Sequence, residues 1–180
     1  MTQQSTIRRP SPDEYFEFYR KYVDQVPDGD LLTQMDAHVP ELRSFFSNVA
    51  ESDAVICHAP YTWTIKQVVG HMIDSERVFA ERLHRFASGD LQPVPGIDQD
   101  IYVAGNDYET PALQSLVEEL LLCRQANVLL VRRIKPQAWD NRGIASDHPV
   151  TVRAQAWILV GHINHHMRIV RQRLGRLKVG

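Results

Sequence analysis

Apolar residues recur every three to four positions along four stretches of the chain, which is the period of an α-helix with one buried face. The members of the four stripes are Leu31, Met35, Leu42, Phe46 and Val49; Ile65, Met72, Phe79, Leu83 and Phe86; Leu113, Val117, Leu120, Val131 and Ile134; and Val152, Ala156, Leu159, Ile163, Met167, Val170 and Leu174. Almost nothing alternates as a long β-strand would. We therefore predict an all-α four-helix bundle.

The second of these helices carries the clearest boundary signals. Thr64 and Gln67 form a T-x-x-Q capping box, and Trp63 and Val68 are placed to make the hydrophobic staple that accompanies it. Ser88-Gly89 is typical of a helix end. The helix should therefore run from about Thr64 to Ser88-Gly89.

The other three helices are marked by caps and prolines. Asp30 should cap the first, and Pro40 inside its pattern predicts a kink or a break. Thr110-Pro111 reads as the N-cap and first residue of the third helix, which Pro136 should close. Thr151 should cap the fourth.

The remaining segments are shorter or irregular. Ser11-Pro12-Asp13-Glu14 has the pattern of a capping box with proline at the first helical position, so residues 1–29 should form an N-terminal extension with a short helix to about residue 25. Residues 51–61 and 139–149 read as connectors. The segment 89–109 is long for a compact domain, and we expect a crossover there or a functional loop.

Bulk composition limits the classes of protein that remain. A length of 180 residues with 43% hydrophobic residues fits one domain over residues 1–180. A net charge of -2 and a pI near 6.4 are not those of a protein built to bind nucleic acid or an anionic membrane. Because no signal-peptide pattern, membrane-spanning run or CxxC motif is visible, we expect a cytoplasmic protein with structural cysteines.

Candidate chemistry is concentrated in the last helix, where Gly161-His162-Ile163-Asn164-His165-His166 places two histidines one turn apart. His162 and His166 point the same way, which is a standard helical arrangement for holding a metal ion. His166 borders the apolar stripe. Because chance also produces such pairs, and hydrogen bonds satisfy many core histidines, the pair by itself leaves both interpretations open.

His71 on the second helix is the candidate for a third ligand. It lies about 10 Å along its helix, and the His162/His166 pair is centred about 15 Å from the far end of the last helix, at 1.5 Å per residue. These depths match if the two helices are antiparallel. The second and last helices can be antiparallel if residues 89–109 form a crossover that makes the two middle helices parallel.

The chain resembles the DinB-like (YfiT-related) superfamily in three segments. They are Thr62-Trp63-Thr64-Ile65-Lys66-Gln67-Val68-Val69-Gly70-His71-Met72-Ile73-Asp74-Ser75-Glu76-Arg77-Val78-Phe79-Ala80, Pro95-Gly96-Ile97-Asp98-Gln99-Asp100 with Tyr102, and the histidine-rich run that begins at Gly161. The resemblance covers about residues 30–174. It implies a bundle of up-down-down-up topology, frequent homodimers, and one divalent metal ion on His71, His162 and His166.

The resemblance also suggests an activity. Three neutral histidines leave a metal ion at least one open position, which is the pattern of a catalytic site and not of a closed structural one. Zinc and nickel both suit imidazole ligands. By resemblance the protein would be a metal-dependent transferase of low-molecular-weight thiols acting on a small-molecule substrate. The alternatives are a hydrolase using bound hydroxide, and a non-catalytic stress-response or binding module with a structural metal.

Carboxylates near His71 are candidates for a supporting role. Asp74, one turn on, is placed to accept the second ring N–H of His71, or to lie exposed on the helix surface. Glu76 points toward the apolar stripe, as a base near the metal or as a partner for an arginine. Asp98, Gln99, Asp100 and Tyr102 on the crossover either line the mouth of a ligand pocket or form turns.

The remaining polar clusters have simpler interpretations. Trp63 fits the hydrophobic staple better than a substrate platform. The basic ending of the last helix is typical of a solvated helix C-terminus, and it contains Arg168, Arg171, Arg173, Arg176 and Lys178. We expect four histidines to lie at the surface, namely His38, His58, His84 and His148.

Overall fold

The structure, a computed structural model, describes residues 7–175 and is mostly helical. Its helices are α1 (Arg20–Val23), α2 (Leu31–Phe46), α3 (Glu51–Ala54), α4 (Ile65–Ala87), α5 (Gln99–Gly105), α6 (Leu113–Arg132) and α7 (Val152–Arg173). Strands β1 (Arg142–Ala145) and β2 (His148–Thr151) pair as one antiparallel hairpin. None of the described helices has the length and apolarity needed to cross a bilayer.

The four long helices α2, α4, α6 and α7 form the bundle, and contacts near their ends show its topology. The Lys66 side chain near the start of α4 donates to Glu109 O before α6, and Asn141 after α6 donates to Phe86 O at the end of α4. These two helices are therefore parallel. Because Arg173 at the end of α7 donates to Trp63 O just before α4, α7 is antiparallel to α4.

Helix α2 completes the up-down-down-up arrangement. Its last residue, Phe46, accepts from Gln114 at the start of α6, and its Asp36 pairs with Arg132 at the end of α6. Helix α2 therefore runs against α6 and alongside α7. The four-helix bundle and its crossover between the second and third helices are as the sequence predicts.

Local capping signals predicted several boundaries correctly. The Thr64–Gln67 capping box is formed, with Thr64 Oγ1 accepting from Gln67 N and Gln67 Oε1 accepting from Thr64 N. Thr151 caps α7 by accepting from Ala154 N. The N-cap Asp30 accepts from Thr33 N, and α4 ends at Ser88 as expected.

The predicted start of α6 is two residues early. Thr110 N donates to the carboxylate of Asp107, which holds Thr110-Pro111 in a turn outside the helix. The first helical N–H, that of Leu113, is instead satisfied by Glu51 Oε2 at 2.9 Å. The cap is supplied from a distant part of the chain, and no local pattern indicates it.

Other irregular segments differ in detail from expectation. Helix α2 continues through Pro40 without the predicted break, because Pro40 lies on the exposed face, where water can hydrate the freed carbonyl one turn earlier. The predicted short helix to residue 25 is two 3-10 turns, Pro12–Glu14 and Glu17–Tyr19, and then α1. The predicted connector 139–149 contains most of the hairpin. Helix α3 lies within the predicted connector 51–61, and α5 lies within the predicted crossover 89–109.

The buried apolar residues form two clusters, one toward each end of the bundle. One contains Phe79, Leu83 and Trp157, and the other contains Met72 and Ile163. Between them lies a band of buried polar side chains, which we call the polar layer: Glu76, Arg124, Asn127, His71 and His162. Two of the three metal-binding candidates, His71 and His162, are thus part of a polar cross-section of the core.

Candidate metal centre

The structure brings His71, His162 and His166 together between α4 and α7. His71 Nε2 lies 3.1 Å from His162 Nε2, and one ring nitrogen from each of the three residues lies within 4.8 Å of the other two. His162 and His166 face the same way because they are one helical turn apart. His71 meets them because α4 and α7 are antiparallel.

A glycine next to the centre lets the N-terminal segment close over it. A Cβ atom on Gly161 would lie 2.0 Å from Tyr22 O, so α1 can pack on α7 only where there is no side chain. The Tyr22 ring then lies edge-on to His162, with 5.2 Å between ring centroids. The N-terminal segment is therefore a wall of the site.

Burial keeps the three imidazoles neutral. Desolvation lowers the pKa of His71 to about 4 and lowers the pKa values of His162 and His166 well below their usual value. The positive charges that the three rings would carry together add to this effect. Neutral imidazole is the form that binds metal ions, so the cluster is ready to act as a ligand set at neutral pH.

One of two unpartnered ring nitrogens at this centre fits a bound ion. His166 Nε2 and His162 Nδ1 are buried with no hydrogen-bond partner within residues 7–175, although buried polar atoms are nearly always paired. A metal ion would satisfy His166 Nε2. In the same described range no fourth histidine, cysteine or carboxylate joins the group. The three residues present therefore suit a divalent ion with an open position.

Two cavities reach the centre at different histidines. The Arg82 cavity, of about 200 Å³, is lined by His71, His162, Phe18, Tyr19, Tyr22, Ser75, Phe79, Arg82, Ile97, Gln99 and Ser146. The Trp63 cavity, of about 370 Å³, is lined by His166, Pro60, Tyr61, Thr62, Trp63, Val68, Gln99, Asp100, Ile169 and Arg173. Gln99 contributes to both cavities and so lies where they meet.

The crossover residues have different positions relative to these cavities. Gln99 and Asp100 line them, as one interpretation of the sequence proposed. Asp98 instead caps α5 by accepting from Asp100 N at 2.9 Å, which is the turn chemistry of the other interpretation. Tyr102 is 38% exposed and lines neither cavity.

Asp74 does not make the expected contact with His71. Its Oδ2 accepts from Tyr108 Oη at 2.6 Å, and no hydrogen bond joins it to His71. The reason is that Gly70 and Asp74 share one face of α4. The Tyr108 ring packs on Gly70, where a Cβ atom would lie 2.4 Å from it, and its hydroxyl reaches Asp74.

Glu76 is the partner of an arginine. Its carboxylate accepts from Arg124 and from Asn127 Nδ2, all of them buried in the polar layer. Burial raises the pKa of Glu76, and the Arg124 guanidinium opposes that rise. Neither cavity touches Glu76, so this contact supports the arginine alternative over the base near the metal.

The predictions for the four surface histidines and for Trp63 hold only in part. His84 is exposed and His58 and His148 are half-buried, but His38 is not a surface residue, because it is buried between α2 and α7. Trp63 packs against the core and also lines a cavity, with its ring 5.1 Å from that of His71.

The sequence also missed two arginines that line the cavities. Arg82 belongs to no motif, and Arg173 was assigned to a solvated helix end although its Nε and Nη1 are buried. Among its neighbours in that basic ending, Arg168 is exposed and Arg171 pairs with Glu41, whereas Arg176 and Lys178 lie outside the described residues. Helical periodicity cannot show the cavities, because the crossover and the hairpin form part of their walls.

The burial of His38 leads to a testable pH dependence. Its Nε2 is 2.9 Å from Asn164 Oδ1, and desolvation lowers its pKa to about 3. In the unfolded chain the imidazole takes up a proton below about pH 6.5, whereas in the folded chain it stays neutral, so acid favours unfolding. We expect His38→Gln to make the fall in unfolding free energy from pH 6 to pH 5 smaller by about 1 kcal/mol.

The measurement is urea unfolding of the metal-free protein at each pH. His84→Gln, at an exposed histidine, is the control variant. Parallel pH profiles for His38→Gln and the wild type would show that His38 is protonated equally in the folded and unfolded states.

The fold and the site together define the class of this protein. It is a four-helix bundle in which three histidines converge on a candidate metal centre inside the bundle. The sequence profile of the DinB superfamily matches residues 19–170, and the chain belongs to that superfamily. This confirms the resemblance seen in the sequence.

Two solved structures show the same fold. YfiT from Bacillus subtilis, a probable metal-dependent hydrolase with an unusual four-helix bundle topology, has 16% identity and a TM-score of 0.68, over 93% of this chain and 94% of that one. The mycothiol-dependent maleylpyruvate isomerase has 13% identity and a TM-score of 0.64, over 81% of this chain. This chain spans 61% of the isomerase's length. A search of curated proteins gave no match.

Proposed function

We propose that the protein is a metal-dependent transferase that joins a low-molecular-weight thiol to a small electrophile at His71, His162 and His166. The observation that carries this proposal is a cluster of three neutral histidines reached by two cavities at different histidines. Zinc or nickel is the ion that this ligand set suits. When bound, it would lower the pKa of a coordinated thiol and stabilise the resulting anion.

The two cavities favour a reaction of two substrates. A transferase must hold the thiol and the electrophile at the same time, each in contact with the reacting centre. One cavity reaches His71 and His162, the other reaches His166, and the Gln99 side chain lies where they meet. A hydrolase needs one such cavity, because its second reactant is water.

The residues of the chain have definite tasks in this reaction. The three histidines would hold the ion and, as neutral groups, would leave its charge uncompensated. Tyr22 and Phe79 pack edge-on against His162 and give the Arg82 cavity an apolar wall beside it. The Gln99 amide can donate to one reactant and accept from the other. Arg173 supplies a cation beside the Trp63 cavity.

A metal-dependent hydrolase is the second candidate. It is favoured by the likeness of the bundle to YfiT, which is described as a probable metal-dependent hydrolase. An ester substrate separates the two functions, because hydrolysis requires no thiol. A non-catalytic stress-response module is less well supported, because the histidine cluster lacks a fourth protein ligand within residues 7–175 and is open to two cavities. From the family resemblance we further propose a cytoplasmic homodimer.

The experiment uses untagged, metal-loaded protein, since a polyhistidine tag recruits nickel by itself. Conjugation of 1-chloro-2,4-dinitrobenzene is followed with cysteine, glutathione, coenzyme A, bacillithiol and mycothiol, and hydrolysis of p-nitrophenyl acetate is followed without thiol. We expect conjugation that needs the metal and one of these thiols, and that His166→Ala abolishes. Thiol-independent ester hydrolysis with no conjugation would instead establish the hydrolase.

A pair of matched variants tests the assignment of two substrates to two cavities. Ile97 lines the Arg82 cavity and Ile169 lines the Trp63 cavity, and both are half-buried. We expect Ile97→Trp and Ile169→Trp to raise the KM of different substrates by about 10-fold or more, since each fills one cavity. If both variants raised the KM of the same substrate, the division between the cavities would be wrong.

A further inference from the structure

Arg82 is a buried cation without a counter-charge. The residue is 2% exposed, and no carboxylate in the described part of the chain lies within ion-pair distance of it. The residue lines the cavity that also touches His71 and His162. A buried charge with no partner is costly, and proteins seldom keep one without a reason.

The other buried cations of residues 7–175 are all paired. Lys66 contacts Glu51 at 2.7 Å, Arg124 contacts Glu76, and Arg153 contacts both Glu14 and Asp140. Each of these pairs joins residues that are distant in the sequence. Arg82 alone among these four side chains lacks a carboxylate, and it alone lines a cavity at the histidine centre.

The guanidinium of Arg82 is held in place but is not saturated. Its Nη2 donates to Pro95 O at 3.0 Å and to Ser146 Oγ at 3.1 Å. The other three N–H groups, on Nε and Nη1, have no partner among the described residues. The guanidinium is therefore fixed by the crossover and the hairpin, and its remaining N–H groups can each donate a charge-assisted hydrogen bond to an anion such as a carboxylate.

The rest of the cavity is suited to a small, largely apolar molecule. Its volume of about 200 Å³ is below the range of drug-sized pockets, about 300–1,000 Å³. Four aromatic rings and one aliphatic side chain line it, from Phe18, Tyr19, Tyr22, Phe79 and Ile97. Arg82 is the one permanently charged group of this lining, which matches a ligand with a single negative charge.

Arg82 and His71 lie along one face of α4. His71 and Arg82 are separated by eleven residues, or about 16 Å of helix at 1.5 Å per residue. Long side chains on a helix lean toward its N-terminus, which brings the guanidinium toward the histidines. A ligand anchored at Arg82 would therefore extend toward the ring nitrogens of His71 and His162.

We propose that the Arg82 cavity binds a small carboxylate with an apolar body, its carboxylate on Arg82 and its other end at the histidine centre. The proposal deepens the proposed function by naming the chemical class of one substrate, and it rests on that function only for the reaction at the histidines. Binding itself requires Arg82 and the cavity. It can therefore be tested even if no thiol is transferred.

The test is isothermal titration calorimetry of the untagged, zinc-loaded full chain at pH 7.5 with three probes: 3-phenylpropanoate, its neutral analogue 3-phenylpropanamide, and inorganic phosphate. We expect the carboxylate to bind about 10- to 100-fold more tightly than the amide, as a charge-assisted hydrogen bond predicts. Arg82→Gln should abolish this difference, and Arg82→Lys should keep part of it. Arg77→Gln, at an arginine that pairs with Glu119 on the outside of α4, should not change it.

Several outcomes would overturn the proposal. If the wild type bound 3-phenylpropanoate and 3-phenylpropanamide with equal affinity, the proposal would be wrong. This comparison needs no variant, so it remains decisive even if Arg82→Gln does not fold. Unchanged carboxylate binding in a folded Arg82→Gln variant, together with its loss on chelation, would assign the carboxylate to the zinc ion. Tighter Arg82-dependent binding of phosphate would replace the carboxylate class by phosphate esters. Failure of thiol transfer alone would leave carboxylate binding intact.

Discussion

Removing the His166 imidazole is expected to lower the affinity of the protein for zinc by about 100-fold or more. His166 supplies one of three ring nitrogens within 4.8 Å of one another, and its Nε2 is buried without a protein partner. Loss of a residue that only supports a ligand typically costs about 10- to 100-fold in metal affinity, so loss of a ligand should cost at least as much. The measurement is a competition titration with a chromophoric chelator, with elemental analysis of His166→Ala and wild type.

His84→Ala is the control for this experiment, because His84 lies on α4 with its side chain exposed. It should bind one ion per chain with the affinity of the wild type. A His166→Ala variant that retained one tightly bound ion would mean that the ion does not bind at the His71, His162 and His166 cluster. The metal-dependent function proposed above would then be wrong, whichever thiol or ester was tested.

The second large effect is expected in the polar layer, where Arg124→Met should lower the free energy of unfolding by about 3–5 kcal/mol. Arg124 is fully buried and donates to Glu76 and to Leu159 O, so it joins α4, α6 and α7. Its removal leaves the carboxylate of Glu76 in the core with only Asn127 as a partner. Urea unfolding of the metal-free protein at pH 7 measures the loss.

Two further variants identify the cause of this loss. Arg77→Met removes an ion pair with Glu119 whose partners are both exposed, and it should cost less than about 1 kcal/mol. Replacing both Arg124 and Glu76 by methionine should recover most of the lost stability, since no charge is then left unpaired. If the double variant were as unstable as Arg124→Met, lost packing would be the explanation.

Sequence reasoning succeeded where the controlling interactions are local. The two residues of the capping box at Thr64 are three positions apart, and His162 and His166 are four positions apart, so both pairs depend on helix geometry that the sequence pattern shows directly. The direction of α4 relative to α7 could also be inferred, because the antiparallel arrangement matches the depth of His71 to that of the pair better than the parallel one does. The bundle and the convergence of the three histidines could be predicted for these reasons.

The partners of individual side chains could not be predicted, because they come from distant segments. Asp74 bonds to Tyr108, which lies 34 residues further along the chain. His38 is buried against Asn164, which lies 126 residues away. Arg82 reads as an ordinary helix residue until the crossover and the hairpin, through Pro95 and Ser146, enclose it. Apolar periodicity gives the buried face of a helix, but not what packs against it.

The polar layer has a consequence for how the helices align along the bundle axis. Two apolar stripes can slide past one another by one turn, about 5.4 Å, at modest cost, because one leucine replaces another. The contact of Arg124 with Glu76 permits no such slip, since it would move both ions into hydrocarbon. Arg124 also donates to Leu159 O on α7. The same side chain therefore fixes the position of α7 along the bundle axis, and with it the level at which His162 faces His71.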